Sequence, residues 1–187
     1  MISVNDLKPG LTIELDGQVY QVVSSEHHKP GKGQAVVRTR LREVESGKVF
    51  NKTFNAGVKV QRAHVDRRNM QYLYSQGDIF YLMDTENYEQ IEISRAQIAD
   101  VVQWLKEGET VMMVSCQGKL LGLEVPQTVE RIVTKTEPGV RGDTAQGGNK
   151  PALIEGGVTV TVPLFVNQGA VIKVDTAAGE YIERVSN

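Results

Sequence analysis

The stretch EHHKPGKGQAVVRTRLREV, residues 26–44, decides the fold class of this chain. Its second half alternates between two kinds of side chain. The two sets are Val37, Thr39 and Leu41 on one face and Arg38, Arg40 and Arg42 on the other. Alternation with a period of two residues is typical of a β-strand that buries only one face. The stretch therefore predicts a strand with a basic outer face that begins just after a Pro-Gly turn.

Short alternating runs separated by glycine-containing turns recur along the rest of the chain. Asp16-Gly17 lies between two such runs, and Asp-Gly in that setting is a strong signal for a hairpin. Residues 156–186 contain three more runs with turns between them. We therefore predict an all-β protein made of three small barrels in series, at residues 1–63, 64–126 and 127–187.

One segment, IEISRAQIADVVQWLKEGE at residues 91–109, is the helical candidate. Ile98, Val101 and Leu105 recur at helical spacing, and Ser94 is placed to cap the first turn. The β-branched pair Val101-Val102 also suits a strand, so the pattern leaves both structures open.

Charge is distributed unevenly among the three ranges, although the net charge is only −2. Residues 1–63 contain ten Lys or Arg and six Asp or Glu, whereas residues 64–126 contain five and ten. The last range is nearly balanced, with six basic and seven acidic residues. A basic N-terminal range favours contact with nucleic acid through that end, although surface charge that only maintains solubility gives the same pattern.

The sequence lacks the signatures of several kinds of catalytic or metal site. Cys116 is the single cysteine, so no internal disulfide or cysteine zinc cluster is expected, and a lone thiol suits a reducing cytosol. His27 and His28 point to opposite faces of an extended chain, which makes joint metal binding awkward. No triad signature occurs, and GGNKPA at residues 147–152 lacks phosphate-loop spacing. We expect no catalytic residues, no metal and no cofactor.

The N-terminal segment MISVNDLKPG has neither the basic region nor the apolar run of a secretory signal. No run of about 18 apolar residues occurs in the sequence, which is the length a membrane-spanning helix needs. We expect a cytoplasmic monomer without membrane contact.

Lys32 stands within the segment KPGKG, residues 29–33. Pro30 fixes φ and Gly31 is free to take a positive φ, so the chain is expected to turn tightly there. Gly33 leaves the other side of the lysine bare. One interpretation is a hairpin turn with a solubilising lysine. The other is a thin cationic tip, continuous with Lys29 and the arginine face, that enters a narrow polyanionic cavity and contacts phosphates.

Three longer segments carry a more specific pattern. They are KPGKGQA with KTFNAGVKV at residues 29–35 and 52–60, MQYLYSQGDIFYLMDTENYEQIEI at residues 70–93, and the segment from EPGVRGDTAQGGNKPA to GEYIERV at residues 137–185. They resemble, in that order, the three domains of the bacterial elongation factor P family. The resemblance covers essentially the whole chain, and it is most specific in the C-terminal segment.

The resemblance implies an SH3-like, KOW-type first domain followed by two OB-type domains, in an L-shaped molecule that resembles transfer RNA. It also implies a translation elongation factor that binds the ribosome near the P and E sites. Such a factor relieves stalling at consecutive prolines by orienting the peptidyl-tRNA in the P site, which the ring-restricted proline places poorly for reaction. The ribosome remains the catalyst, so the chain is expected not to be an enzyme.

The resemblance also assigns roles to individual residues. Lys32 would reach the P-site tRNA, supported by Pro30, Gly31 and Gly33. It would carry a covalent modification of the β-lysyl or aminopentanol type, added by a lysine-modifying enzyme. From their charge and position in the sequence, Lys29 and the three arginines are expected to form a basic face toward RNA.

Two further contacts are implied for the C-terminal domain. Gly142, Asp143 and Thr144 match the family loop that approaches messenger RNA in the E site, and glycine-rich loops also occur simply because turns need them. Tyr181 and Arg184 match positions that contact tRNA or the small subunit, and each is also consistent with an ordinary surface residue of the last strand.

Three alternative functions differ from this one in what they require. A paralogous factor on the same scaffold would act on a different stalling target, which the PGKG tip disfavours. A general single-strand RNA-binding protein needs aromatic platforms and basic grooves, which the acidic middle range disfavours. A hydrolytic enzyme needs a nucleophile or base pair that the sequence does not show.

Overall fold

The regular structure of this chain is almost entirely β-strand. A computed structural model describes residues 1–139 and 148–187, and their strands form one six-stranded and two five-stranded sheets. The chain divides into two compact units, Met1–Arg67 with Met113–Gly122 and Arg68–Met112 with Leu123–Asn187. The predicted all-β class is confirmed.

The first sheet carries the segment that predicted the fold. Its strands are β1 (Ile2–Ser3), β2 (Thr12–Leu15), β3 (Gln18–His28), β4 (Val36–Glu43), β5 (Val49–Asn55) and β6 (Lys59–Arg62), and a 3₁₀ turn spans Val4–Asp6. The order is β1-β6-β2-β3-β4-β5, with each neighbouring pair antiparallel. The predicted hairpin turn is present, since Asp16 and Gly17 both have positive φ, 51° and 79°. This two-residue turn matches the right-handed twist of the strands.

The inner face of the first sheet forms a compact apolar core. Its buried residues are Val4, Leu7, Ile13, Val22, Val37, Leu41, Phe54 and Val60. Val37 and Leu41 lie on β4 with buried Thr39 between them on the same face, as the sequence pattern predicted. The core therefore fixes which face of β4 is turned to solvent.

The second sheet contains β7 (Asp66–Gln76), β8 (Ile79–Asp84), β9 (Gln90–Ser94), β10 (Thr110–Cys116) and β11 (Lys119–Glu124), in the order β11-β10-β7-β8-β9. Its β8 alternates in burial, with Phe80, Leu82 and Asp84 facing inward. Asp84 accepts hydrogen bonds from the N–H groups of Glu86 and Asn87 at the turn that follows. The bond from Glu86 is the main reason why the pKa of Asp84 is lowered.

The helical candidate at residues 91–109 does not form an α-helix. The segment contains the end of β9 and two 3₁₀ turns, Arg95–Ile98 and Val102–Trp104. The N–H of Ser94 donates to Gln97 Oε1 at 3.0 Å, so the expected cap closes a single turn. The segment does not form an amphipathic helix with one buried face. Its buried side chain Trp104 packs instead in the core of the third sheet. Burial in a distant core outweighs local helical spacing.

The third sheet contains β12 (Thr128–Thr136), β13 (Asn149–Ile154), β14 (Thr159–Pro163), β15 (Val171–Asp175) and β16 (Glu180–Ser186), in the order β14-β13-β12-β15-β16. All neighbouring strands are antiparallel. The two edge strands, β14 and β16, also contact each other, so the sheet curls toward a closed barrel.

The three sheets fall one into each of the ranges predicted from the sequence. The boundaries themselves, near residues 64 and 127, stay predictions.

Candidate functional site

Lys32 is the central residue of the connection between β3 and β4. The last paired residues of these strands are His28 and Val36, so three residues separate Lys32 from each strand end. The side chain is exposed and forms no hydrogen bond or ion pair within residues 1–139 and 148–187. The ammonium group is therefore available to bind another molecule at the tip of the β3–β4 connection.

The two glycines beside Lys32 have different structural roles. Gly33 has φ +113°, which side-chain-bearing residues rarely adopt, and a Cβ built on it lies 3.7 Å from Pro30 Cγ. Gly31 has an ordinary φ, and nothing lies within 4 Å of a Cβ built there. The positive φ that makes the turn thus lies after the lysine, at Gly33, and not at Gly31. Gly31 instead keeps the tip narrow.

The outer face of β4 carries the predicted arginines. Val37 and Leu41 are fully buried and Thr39 is 3% exposed, which turns the residues between them outward. Those outward residues are Arg38, Arg40 and Arg42, all exposed. Strand β4 therefore has the buried face and the basic, exposed face that the sequence predicted.

The arginine face does not lie on an edge strand, since β4 is paired with β3 on one side and with β5 on the other. Arg38 lies opposite Glu26 on β3 and Thr53 on β5, and Arg40 lies opposite neutral residues on both strands. Within the described part of the chain, none of the three arginines is held in an ion pair. Together with exposed Lys29 at the base of the tip, they form a positive surface with little internal neutralisation, as a phosphate-binding surface requires.

The predicted messenger-RNA loop at Gly142, Asp143 and Thr144 lies outside the described residues. The strands on either side of it, β12 and β13, pair from Val133–Ile154 to Thr136–Ala152. Beside that pairing, Lys150 is 6% exposed, and its Nζ donates to the carbonyl oxygen of Glu137 at 2.6 Å. The role assigned to the three loop residues stays a prediction.

Tyr181 and Arg184 lie on the same face of β16, which simple alternation would not allow for residues three apart. Tyr181 pairs with Val174 and Arg184 with Ile172, and both partners are fully buried. The register shifts between these pairs, so Ile182 is an extra residue of a β-bulge. This extra residue brings Tyr181 and Arg184 to the same face of the strand. Tyr181 packs against the third core, while Arg184 is exposed.

Phe165 is a surface residue that the sequence reasoning did not single out. It lies in the connection after β14, and its side chain is 56% exposed. The Arg184 Cζ atom lies 4.9 Å from its ring centroid. The sequence signal for Phe165 was an aromatic residue in the turn that follows the alternating run VTVTV. Its partner, Arg184, lies on another strand, so spacing along the chain could not identify the pair.

No group of metal-binding side chains converges within residues 1–139 and 148–187. His27 and His28 are both exposed at the end of β3. Cys116 is buried and donates its S–H to the carbonyl oxygen of His64 at 3.2 Å. Burial, with smaller effects from Asp66 and Glu14, raises the pKa of this thiol. Such a thiol is a weak nucleophile, and its burial suits a side chain that packs as a small apolar residue.

Across the two described stretches, no helix has the length and apolar character needed to cross a bilayer.

Three family models together cover most of the chain. Residues 3–60 match the KOW-like domain of elongation factor P, residues 65–123 match its OB domain, and residues 129–184 match its C-terminal domain. These matches confirm the KOW-type first domain and the OB-type second domain that the resemblance implied, and they identify the last range as the family's C-terminal domain.

Whole proteins of the same kind are similar over their full length. Elongation factor P of Coprothermobacter proteolyticus is 54% identical over 185 residues, covering 99% of this chain and 100% of that protein. The factor from Natranaerobius thermophilus is 52% identical, covering 99% of this chain and 98% of that protein. A solved structure titled eukaryotic translation initiation factor 5A from Methanococcus jannaschii is similar with a TM-score of 0.50 and 28% identity, over 64% of this chain and 88% of that one. The chain belongs to the elongation factor P family.

Proposed function

We propose that this chain is a translation elongation factor that binds the ribosome near its P and E sites and promotes peptide-bond formation at consecutive prolines. Membership of the elongation factor P family supports the general assignment. The more specific assignment rests on one observation. Lys32, exposed and without a partner among the described residues, stands at the midpoint of a narrow tip beside an arginine face. The chain would work in the cytoplasm, where ribosomes operate.

The tip suits a positioning role. A single ammonium group on a slim arm can approach the end of a peptidyl-tRNA without bulky neighbours and hold it near a reactive geometry. Orientation alone can contribute several kcal/mol to a reaction, on the order of 7–11 kcal/mol in the most favourable intramolecular cases. In this proposal Lys32 makes no bond to the reacting atoms, and the ribosome remains the catalyst.

Other surfaces would fix the factor on its RNA partners. Lys29 and the arginine face of β4 would bind phosphates of the tRNA, which supplies affinity without reading sequence. Gly142, Asp143 and Thr144 would approach the messenger RNA in the E site. Tyr181 and Arg184 would meet tRNA or small-subunit RNA. A lysine-modifying enzyme would extend Lys32 by a β-lysyl or aminopentanol group, lengthening its reach.

Reconstituted translation of a message with three consecutive proline codons tests the proposal. Factor purified from its native host, with the mass at Lys32 determined by peptide mass spectrometry, should accelerate synthesis through the proline run. Lys32→Ala should abolish that acceleration. Lys32→Arg keeps a positive charge but removes the amine that a lysine-directed enzyme extends, so it separates charge from modification.

Lys8→Ala is the matched control, because Lys8 is an exposed lysine of the same unit and lies in a different loop. It should behave as the unaltered protein. If Lys32→Ala accelerates the proline run as well as Lys8→Ala does, Lys32 does not position the substrate and the specific assignment is wrong.

A further inference from the structure

Phe165 and Arg184 form an exposed cation–aromatic pair on the third sheet. The ring is 56% exposed, so burial does not explain an aromatic residue at this position. Arg184 Cζ lies 4.9 Å from the ring centroid, within the range of a cation–π contact. Both residues are exposed, so the pair is available to bind another molecule.

The pair exists because the sheet curls. Phe165 follows β14 and Arg184 lies on β16, the two edge strands of the sheet, which contact each other. Arg184 lies opposite buried Ile172, so its side chain starts from the core-facing side of β16. From there its guanidinium carbon lies over the ring of Phe165.

Stacking on a ring leaves the binding capacity of a guanidinium group almost intact. The guanidinium carbon lies over the ring, 4.9 Å from its centroid, and a planar guanidinium group that lies over an aromatic face keeps the N–H donors at its edge free to bind. The stack also restricts a long side chain that otherwise loses considerable rotamer freedom when it binds. Arg184 is thus preorganised for a planar, two-pronged acceptor such as a phosphate.

Nearby acidic groups do not occupy that donor edge. Glu183, the neighbour of Arg184 in sequence, binds Lys173 Nζ at 2.7 Å on the opposite face of the strand. Within residues 1–139 and 148–187, Arg184 has no carboxylate partner. No carboxylate of the part of the chain that the structure describes therefore neutralises the donor edge.

We propose that Phe165 is a positioning residue, which stacks on Arg184 and holds its donor edge toward a phosphate of ribosome-bound RNA. This inference rests on the proposed function, and it adds to it a residue and a ligand chemistry. Phe165 itself makes no contact with the phosphate. Its contribution lies in lowering the conformational freedom that Arg184 loses on binding.

The first test measures the affinity of the full chain for ribosomes carrying a peptidyl-tRNA. Arg184→Ala should weaken binding roughly tenfold to a hundredfold, the range for a hydrogen-bonded charge. It should also reduce the slope of log affinity against log salt by about one, as the loss of one phosphate contact does. Phe165→Leu should weaken binding about two- to fivefold, as expected for an exposed cation–π contact.

Conservative and combined variants separate positioning from general structure. Phe165→Tyr keeps an aromatic ring and should restore nearly full affinity, with the same melting temperature as Phe165→Leu. In an Arg184→Ala background, Phe165→Leu should cause no further loss. Additive losses would show that the two residues act independently, and they would overturn the positioning role while leaving the RNA contact in place.

A second measurement does not involve the ribosome. The Arg184 Nε–H resonance of the isolated, full-length protein should show an upfield ring-current shift that disappears in Phe165→Leu and persists in Phe165→Tyr. No change between these variants would overturn the inference, whatever the ribosome assay shows. Unaltered affinity and salt slope in Arg184→Ala, with the ring-current shift present, would instead overturn the assignment of Arg184 to RNA, and the inference with it.

Discussion

Arg131 and Glu109 form a two-pronged ion pair inside the second compact unit. The guanidinium group is 1% exposed, and its nitrogen atoms lie 2.5 Å and 3.3 Å from the two carboxylate oxygens. Arg131 also donates to the carbonyl oxygen of Trp104 at 2.7 Å. A buried guanidinium group is expensive to desolvate, so its stability depends on keeping these acceptors. The pair joins β12 to the segment that precedes β10.

Glu109→Gln should destabilise this unit by about 1–3 kcal/mol, because it leaves a buried cation without its counter-charge. Trp104 is the only tryptophan of the chain and lies in the third core, so its fluorescence during urea unfolding reports on this unit. Glu107→Gln is the control, since Glu107 is exposed on the same turn. Equal midpoints for the two variants would show that the ion pair does not stabilise the fold.

A comparison of Gly156 with Gly157 tests how closely the backbone packs within the same unit. Both have positive φ, +91° and +81°, but only a Cβ on Gly156 would meet the Gln103 carbonyl oxygen, at 2.4 Å. Gly157→Ala should cost about 1–2 kcal/mol from backbone strain alone. Gly156→Ala should cost roughly 1–3 kcal/mol more, because a backbone atom must move. Urea midpoints followed by Trp104 fluorescence measure the difference, and similar values would contradict the close contact.

Glu155 makes the stability of this unit sensitive to acid. Burial by itself would raise the pKa of Glu155, but hydrogen bonds from Ile132 N–H at 2.9 Å and Lys106 Nζ at 3.2 Å outweigh that effect and lower it. A lowered folded-state pKa stabilises the fold above the ordinary value of 4.5, and this contribution is lost as pH falls through the folded-state pKa.

The urea midpoint should therefore fall as the pH is lowered below about 4.5, and Glu155→Gln should show a shallower fall. The two proteins should differ most at neutral pH and converge in acid. Midpoints measured between pH 7 and pH 3, with Glu107→Gln as the reference, check this. A constant difference at every pH would mean that Glu155 stabilises the unit by some means other than its charge.

The glycines of the tip separate the shape of the loop from its charge. Gly33→Ala should destabilise the loop by about 1–3 kcal/mol, because φ +113° suits only glycine. Gly31→Ala should leave the melting temperature unchanged, because the added methyl group meets open space. If the tip enters a narrow cavity, Gly31→Ala should nevertheless reduce acceleration through consecutive prolines. Full activity of Gly31→Ala would show that the width of the tip is unimportant.

Local patterns predicted much of the first sheet and its candidate site. The faces of β4 and the turn at Asp16-Gly17 follow from alternation and from residues that accept positive φ, which are properties of neighbouring residues. At residues 91–109 the same reasoning left helix and strand open, and the helical spacing did not produce a helix because Trp104 is buried in the core of the third sheet. It also placed the positive φ of the tip at Gly31, because spacing cannot distinguish two glycines that flank one lysine.

By itself, the sequence determined the all-β class, the basic strand and the exposed lysine tip, because each depends on residues that are adjacent along the chain. Only the tertiary structure decided which distant side chains meet. The stack of Phe165 on Arg184, the shared face of Tyr181 and Arg184, and the burial of Arg131 against Glu109 all depend on strand register, bulges and sheet curvature. These features are set by packing over the whole core, so no local pattern encodes them.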